Sequence, residues 1–376
     1  MTAVQITPGH LGNLSNDQNE KLKRMWHLVL DMLEPILNSS SQSTEHGSAY
    51  TSRLAQALQQ TNLSRSEQKA LRDALTDVSA TDILAGLLSM MKQESPDRFL
   101  LRFLQTRKWD VSKAFAMLVN ALMWRNKHIN VDDNIIANTE LKALQESKDT
   151  SDPQRAKLSE AFLEQLRIGK CFIHGTDRIG RPILVLQGRL HKSTEKSNEY
   201  AAAKFLIECA QTAYPEILGV MLIHNAPWAF SGIWKTMKRW IEPDLASRIH
   251  FTYTTEEIEK FIAPERLVKS LNGKEDWTFQ FVEPADGEND RMGDTATRDK
   301  LISERNTVGE ELLAATSEWI GASDADAVTR RREELIGKLQ ANYWNLDPYV
   351  RGRTYLDRTG IIGHGGVIDF YPCASQ

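Results

Sequence analysis

Residues 214–251, YPEILGVMLIHNAPWAFSGIWKTMKRWIEPDLASRIHF, constrain the fold more than any other stretch of the chain. Gly219 to His224 is a short apolar run, the pattern of a buried parallel strand. Asn225-Ala226-Pro227 ends it. From Phe230 onward apolar residues recur at helical spacing, at Phe230, Ile233, Trp234, Met237 and Ile241, while Lys235, Lys238 and Arg239 fall largely off that stripe. Pro243 disfavours helix at Glu242, and Arg248 to Tyr253 can form the next strand. Strand, loop, amphipathic helix and strand in this order point to an α/β arrangement.

The helix carries unusual aromatic weight. Trp228, Phe230, Trp234 and Trp240 fall within thirteen residues. Two readings fit. One is a core helix packed on a sheet. The other is a helix that covers an apolar cavity and touches a membrane, since tryptophans beside lysines suit a bilayer interface.

A chain of 376 residues has room for two domains, or one with extensions. Its 41% hydrophobic content supports a core, and a net charge of -4 does not suggest a nucleic-acid binder. The longest apolar runs, such as Ile83 to Met91, are too short to span a bilayer. The N-terminus lacks the basic start and apolar core of a signal peptide. Cys171, Cys209 and Cys373 are widely spaced, which fits a reducing compartment and neither a disulfide framework nor a zinc site. A cytoplasmic protein with peripheral membrane contact is therefore expected.

Taken in order, the chain predicts a helix from a cap at Asn16 or Asp17 to about Leu37, a serine-rich stretch over 39–48, and short helices at about 50–60, 65–77 and 81–93. Ser95-Pro96 and Asp110 open two helices, the second running from Val111 to Lys127. After a helix from Arg155 to Leu166, CFIHG and PILVLQ read as a hairpin turning at Gly180. Beyond Tyr253, Thr254 or Thr255 caps a short helix. Two charged helices are expected at about 297–319 and 325–342, then an aromatic tail packing back as a strap.

YPEILG, NAPW-F-SGIWK and EP-LASRIHF closely resemble the lipid-binding core of the CRAL-TRIO family, the yeast-type phosphatidylinositol transfer proteins. The similarity includes FLLRFLQTRKWDVSKAFAMLVNALMWR (99–125) and TDRIGRP (176–182), and covers roughly 95–283. The resemblance implies a helical N-terminal lobe over 1–150, with its hairpin at about 95–130. An α/β lipid-binding lobe with a mixed, mostly parallel sheet would occupy 151–283, and a C-terminal helical extension 284–376. It implies that Arg107, Glu216 and Arg248 hold a phosphoinositol headgroup. A guanidinium suits a phosphate diester and a carboxylate can accept bonds from inositol hydroxyls. Read alone, Arg107 can equally cap a helix, and Glu216 with Arg248 can be an ordinary ion pair. Trp228, Phe230, Ile233, Trp234, Met237, Trp240 and Ile241 would form a gate that contacts the membrane.

The chain departs from the family pattern in several places. The family often has lysine at the position of Arg248 and arginine at that of Ile217. Ile173 and Leu184 stand where choline-lipid binders carry tyrosines, so the chain resembles the branch that binds inositol lipids without choline lipids. The largest departure is a deletion. Between PILVLQ and KFLIECAQTAYP the family has a long helix and a central strand, whereas here Leu190 and Lys204 are fourteen steps apart. Either the neighbouring strands close up, or the sheet has a defect, or the chain is a shortened splice or gene-model product.

The expected function is binding and intermembrane transfer of a phospholipid, phosphatidylinositol first. Its partners are that lipid and a transient membrane surface, with no nucleic acid; protein partners are left open. The alternatives are a non-transferring lipid-sensing or protein-interaction module, or a shortened variant with an impaired pocket. No enzyme is expected. Gly363-His364-Gly365-Gly366 lacks a G-x-S-x-G companion, and His174, His224 and His250 lack metal-ligand spacing. The bound phospholipid is the only ligand expected, without cofactor or metal.

Overall fold

A computed structural model describes residues 8–38, 47–190, 204–228, 230–322 and 326–371, without the side chains of 231, 233 and 244. Cys373 and the polar segment 191–203 lie outside the described residues. The chain divides into two compact units. The first is Met1–Asn134 with Thr212–Glu216 and Met292–Val350; the second is Ile135–Gln211 with Ile217–Arg291 and Arg351–Gln376. A linear division at 150 and 283 does not describe this grouping, because buried side chains of the C-terminal helices complete the N-terminal core.

In the first unit, Ser15 rather than Asn16 caps the opening helix, Asn16–Met32, through a capping box with Gln18. Thr51, Ser64 and Ser79 cap Ser52–Gln59, Arg65–Leu75 and Ala80–Met91. Pro96–Thr106 and Val111–Met123 form the expected hairpin, the second capped by Asp110 and widening into a π-helical turn, Trp124–Ile129. Phe99, Phe103 and Phe115 are fully buried, each contributing about 1.5–3 kcal/mol by leaving water.

The long helices Thr295–Gly321 and Asp326–Val350 add Leu312, Leu313, Leu335 and Leu339 to that same core. A Cβ at Gly309 would stand 2.9 Å from Leu88 Cδ1, so glycine permits the close approach. Two buried arginines fasten the pair. Arg332 donates to Asp97 at 2.7 Å, and Asp97 also accepts from Trp26 Nε1 at 2.7 Å. Arg305 donates to the carbonyls of Leu339, Leu88 and Lys92. Burial lowers its pKa to about 10, against a raising influence of Tyr343. The carbonyls of Leu88 and Lys92 lie at the end of the Ala80–Met91 helix, where a cation complements the helix dipole.

The second unit carries the strands β1 (Cys171–Thr176), β2 (Pro182–Leu186), β3 (Met221–His224) and β4 (Ile249–Thr252). They form two ladders, β1 antiparallel to β2 and β3 parallel to β4. The expected α/β class is present. No ladder bond joins β2 to β3 among the described residues. Ile183 of β2 and Leu222 of β3 nevertheless pack on the same cluster of Ile258, Ile262 and Leu267. The two ladders therefore share one apolar layer on that side.

The tail is held in this unit by Arg358, which donates to Glu140 and Glu288, and by Tyr355, whose ring lies 5.0 Å from that of Phe279. Thr254 caps the helix Thr255–Glu259 through a capping box.

Candidate functional site

Residue alternation assigns the two faces of each ladder. In β1–β2, Cys171 lies opposite Leu186 and Ile173 opposite Leu184, so these four share a face. Phe172 and Val185 take the other face, where Phe172 stacks with Phe279 and meets Trp277 at a tilt. In β3–β4, Met221 with Ile249 and Ile223 with Phe251 share one face, opposite the face of Leu222 that meets the common apolar layer. Met221 and Ile223 thus lie on the same side as Leu184 and Leu186.

That side is apolar and largely bare. Leu184 is 64% exposed, Leu186 66% and Met221 41%. The expected buried strand at 219–224 is therefore only half-buried, with Met221 at its start left open on this face. Over the β3–β4 half lies the amphipathic helix Phe230–Met237, which ends in a 3-10 turn, Lys238–Trp240. The rings of Phe230 and Trp234 lie 6.3 and 5.4 Å from that of Phe251. Met237, Trp240 and Ile241 are half-buried along it, and the Ile233 side chain lies outside the described residues. Trp228 projects from the loop before the helix, 90% exposed. Lys235, Lys238 and Arg239 are exposed.

The three expected headgroup residues divide between the units. Arg107 is the C-cap of Pro96–Thr106, and Thr106 Oγ1 donates to Glu216 Oε1 at 3.2 Å. Within the helical unit the QTR corner and the YPE segment are thus adjacent. Ala213 is buried in the core beside them, with Tyr214 packed against it. Glu216 itself takes a left-handed backbone, with φ 60. Arg248 belongs to the α/β unit, where it donates to Leu218 O at 2.7 Å. Ile217 is 57% exposed and supplies no charge.

Sequence reasoning missed Arg181 and Gly219. Asp177 receives the Arg181 Nε at 2.6 Å and points the guanidinium across the start of β3. A Cβ on Gly219 would stand 2.2 Å from Arg181 Nη1. Nothing in the local pattern signals this pairing. The bare face did have a signal, because PILVL is apolar at both parities and so asks for cover on both sides. Ile173 and Leu184, singled out for lacking tyrosine hydroxyls, lie opposite each other on it.

Among the described residues no group of three or more His, Cys, Asp or Glu side chains could hold a metal ion. His174 is buried with Nε2 2.8 Å from Glu275, its ring stacked on Trp277. The Gly363–Gly366 stretch forms a 3-10 turn, His364–Gly366. No helix among the described residues is long and apolar enough to cross a membrane.

A helical unit and an α/β unit whose sheet offers a broad apolar face, half covered by an amphipathic helix, define a protein built around a hydrophobic surface. Residues 192–273 match the family model described as CRAL/TRIO domain, and residues 56–120 the CRAL/TRIO N-terminal domain. The chain belongs to the CRAL-TRIO family. A CRAL-TRIO domain-containing protein of Schizosaccharomyces pombe is 30% identical over 309 residues, 72% of this chain and 66% of that protein. A phosphatidylinositol transfer protein of Eremothecium gossypii is 29% identical over 333 residues, 77% of this chain and 74% of its own length. The chain thus spans just under two thirds of the first relative and about three quarters of the second.

Proposed function

We propose that this chain binds a phospholipid against the bare face of Ile173, Leu184, Leu186, Met221 and Ile223 and exchanges it with membranes. The observation that carries the reading is the exposure of Leu184 and Leu186 at 64% and 66%, on the side that the helix Phe230–Met237 covers further along. Acyl chains would bury this surface. Each methylene removed from water contributes about 0.8 kcal/mol, nearly the same in a bilayer as on the protein, so exchange needs no energy source. Specificity then falls to polar contacts at the headgroup.

Phosphatidylinositol is the proposed lipid. The Eremothecium gossypii relative supports it by its name as a phosphatidylinositol transfer protein. Arg107, Glu216 and Arg248 are the residues proposed to favour this headgroup. The helix is proposed as the gate, with Trp228 as its peripheral anchor in the bilayer interface. This reading assigns no catalytic step and no cofactor.

The test is native mass spectrometry of the purified protein, combined with transfer of labelled phosphatidylinositol between vesicles. Near one-to-one phosphatidylinositol that exchanges between vesicles is expected, with Arg248→Ala reducing transfer at least tenfold. A cooperatively folding protein that is empty and extracts no lipid would overturn the proposal.

A further inference from the structure

The turn over 177–181, between β1 and β2, aims one arginine. Asp177 accepts from the amides of Ile179 and Arg181 at 3.0 and 2.8 Å, and from Arg181 Nε at 2.6 Å. Its side chain is 12% exposed, so the pair is fixed from the buried side, while that of Arg181 is 39% exposed. Closing the turn uses Nε alone. Nη1 and Nη2 of Arg181 make no hydrogen bond or ion pair to a described residue. They lie against Gly219, where a Cβ would stand 2.2 Å from Nη1 and 2.8 Å from Cζ. The guanidinium thus occupies the place that a side chain at 219 would take.

A second guanidinium reaches the same short stretch. Arg248, just before β4, donates from Nη1 to Leu218 O at 2.7 Å. Leu218 O and the Cβ position of Gly219 are separated by one peptide linkage, so covalent geometry keeps the two Nη1 atoms within about 9 Å of each other. One phosphate that accepts from both at about 2.8 Å spans most of that gap. Arg181, Leu218, Gly219 and Arg248 all belong to the α/β unit. Two like charges brought to one stretch of backbone repel, and an anion between them reverses the sign of that interaction.

We propose that Arg181 joins Arg248 in a two-guanidinium grip on the phosphate diester of the phospholipid, with Asp177 as its positioning residue and Gly219 leaving room for it. The proposal rests on the phospholipid reading above for the source of the phosphate. The arginine pair recognises a group that every glycerophospholipid carries, so it separates phospholipid from phosphate-free lipid rather than one headgroup from another. Arginine is required at 181. A lysine that pairs with Asp177 spends its single ammonium there, whereas the forked group holds Asp177 and the phosphate at once.

The test is competitive extraction by the full chain from vesicles that contain phosphatidylinositol and diacylglycerol with matched acyl chains. Mass spectrometry reads the ratio of the two lipids bound. Arg181→Lys keeps the pairing with Asp177 and should lower the phosphatidylinositol-to-diacylglycerol ratio at least tenfold. Damage to the fold would reduce both lipids and leave the ratio alone. Arg181→Lys combined with Arg248→Lys should lower the ratio by less than the product of the two single effects, because both side chains hold one phosphate.

An unchanged ratio in Arg181→Lys, or an equal fall of both lipids, would overturn the proposal and leave Arg181 as a turn-former. Fully multiplicative effects of the two substitutions would overturn the shared phosphate. Calorimetric binding of inorganic phosphate that Arg181→Lys abolishes, together with an unchanged lipid ratio, would overturn the lipid source in favour of a free anion. A wild-type chain that extracts neither lipid would overturn the phospholipid reading and the proposal with it, an outcome distinct from any failure confined to the variant.

Discussion

At the scale of single residues, the buried charges of the helical unit have consequences that can be measured. Arg332 and Asp97 are both nearly buried, with side chains 4% and 10% exposed. Removing one partner of such a pair strands the other. Arg332→Ala should therefore destabilise the protein by about 3–5 kcal/mol, read from chemical denaturation. Arg332→Met with Asp97→Asn should recover much of that loss. Asp132 behaves differently. Burial raises its pKa, but hydrogen bonds and charge from Arg125, at 2.6 and 2.7 Å, outweigh burial and leave it below 3.8. A depressed folded pKa contributes stability that is complete above 3.8 and lost as pH falls through the lower folded value. Denaturation midpoints should decline across that acid window, and Asp132→Asn should flatten the decline. The pairing of Arg125 with Asp132 is not legible from spacing, since the π-helical turn Trp124–Ile129 intervenes and sets the approach.

At the scale of elements, the helix Phe230–Met237 and the loop before it separate packing from surface function. Phe230 and Trp234 face Phe251, so substitutions there perturb both the cover and the surface beneath it. Trp228 is 90% exposed and offers a cleaner probe. Trp228→Ala should shift stability by less than about 0.5 kcal/mol. Under the proposed membrane role it should reduce co-sedimentation with vesicles severalfold; unchanged binding would remove Trp228 from the anchor. The helix was legible in the sequence because its apolar stripe has a helical period. Its aromatic weight served both readings at once, since rings that pack on a strand and rings that meet a bilayer look alike in a linear pattern. The structure places the rings of Phe230 and Trp234 against Phe251 and leaves Trp228 in solvent.

At the scale of the whole molecule, the C-terminal helices are part of the N-terminal core. Ending the chain after Arg291 would remove Leu312, Leu313, Leu335 and Leu339 from that core and leave Asp97 without Arg332. Such a protein should lose the cooperative thermal transition of the full chain by circular dichroism; a retained sharp transition would show that the N-terminal helices suffice. The sequence by itself determined the element types, most caps and the family, because these depend on local periodicity, capping chemistry and motifs that survive in linear order. Pro96, Asp110 and Thr254 mark their helices whatever surrounds them. The family resemblance also implies a deletion between Leu190 and Lys204. Only the tertiary structure decided what fills a core and which apolar side chains stay exposed. Arg305 and Arg332 read as surface charges on polar helices until long-range packing buries them. Leu184 and Leu186 read as core, whereas the folded chain leaves both largely exposed. Burial and edge pairing are properties of contacts between segments far apart in sequence, and no local pattern specifies which neighbour arrives.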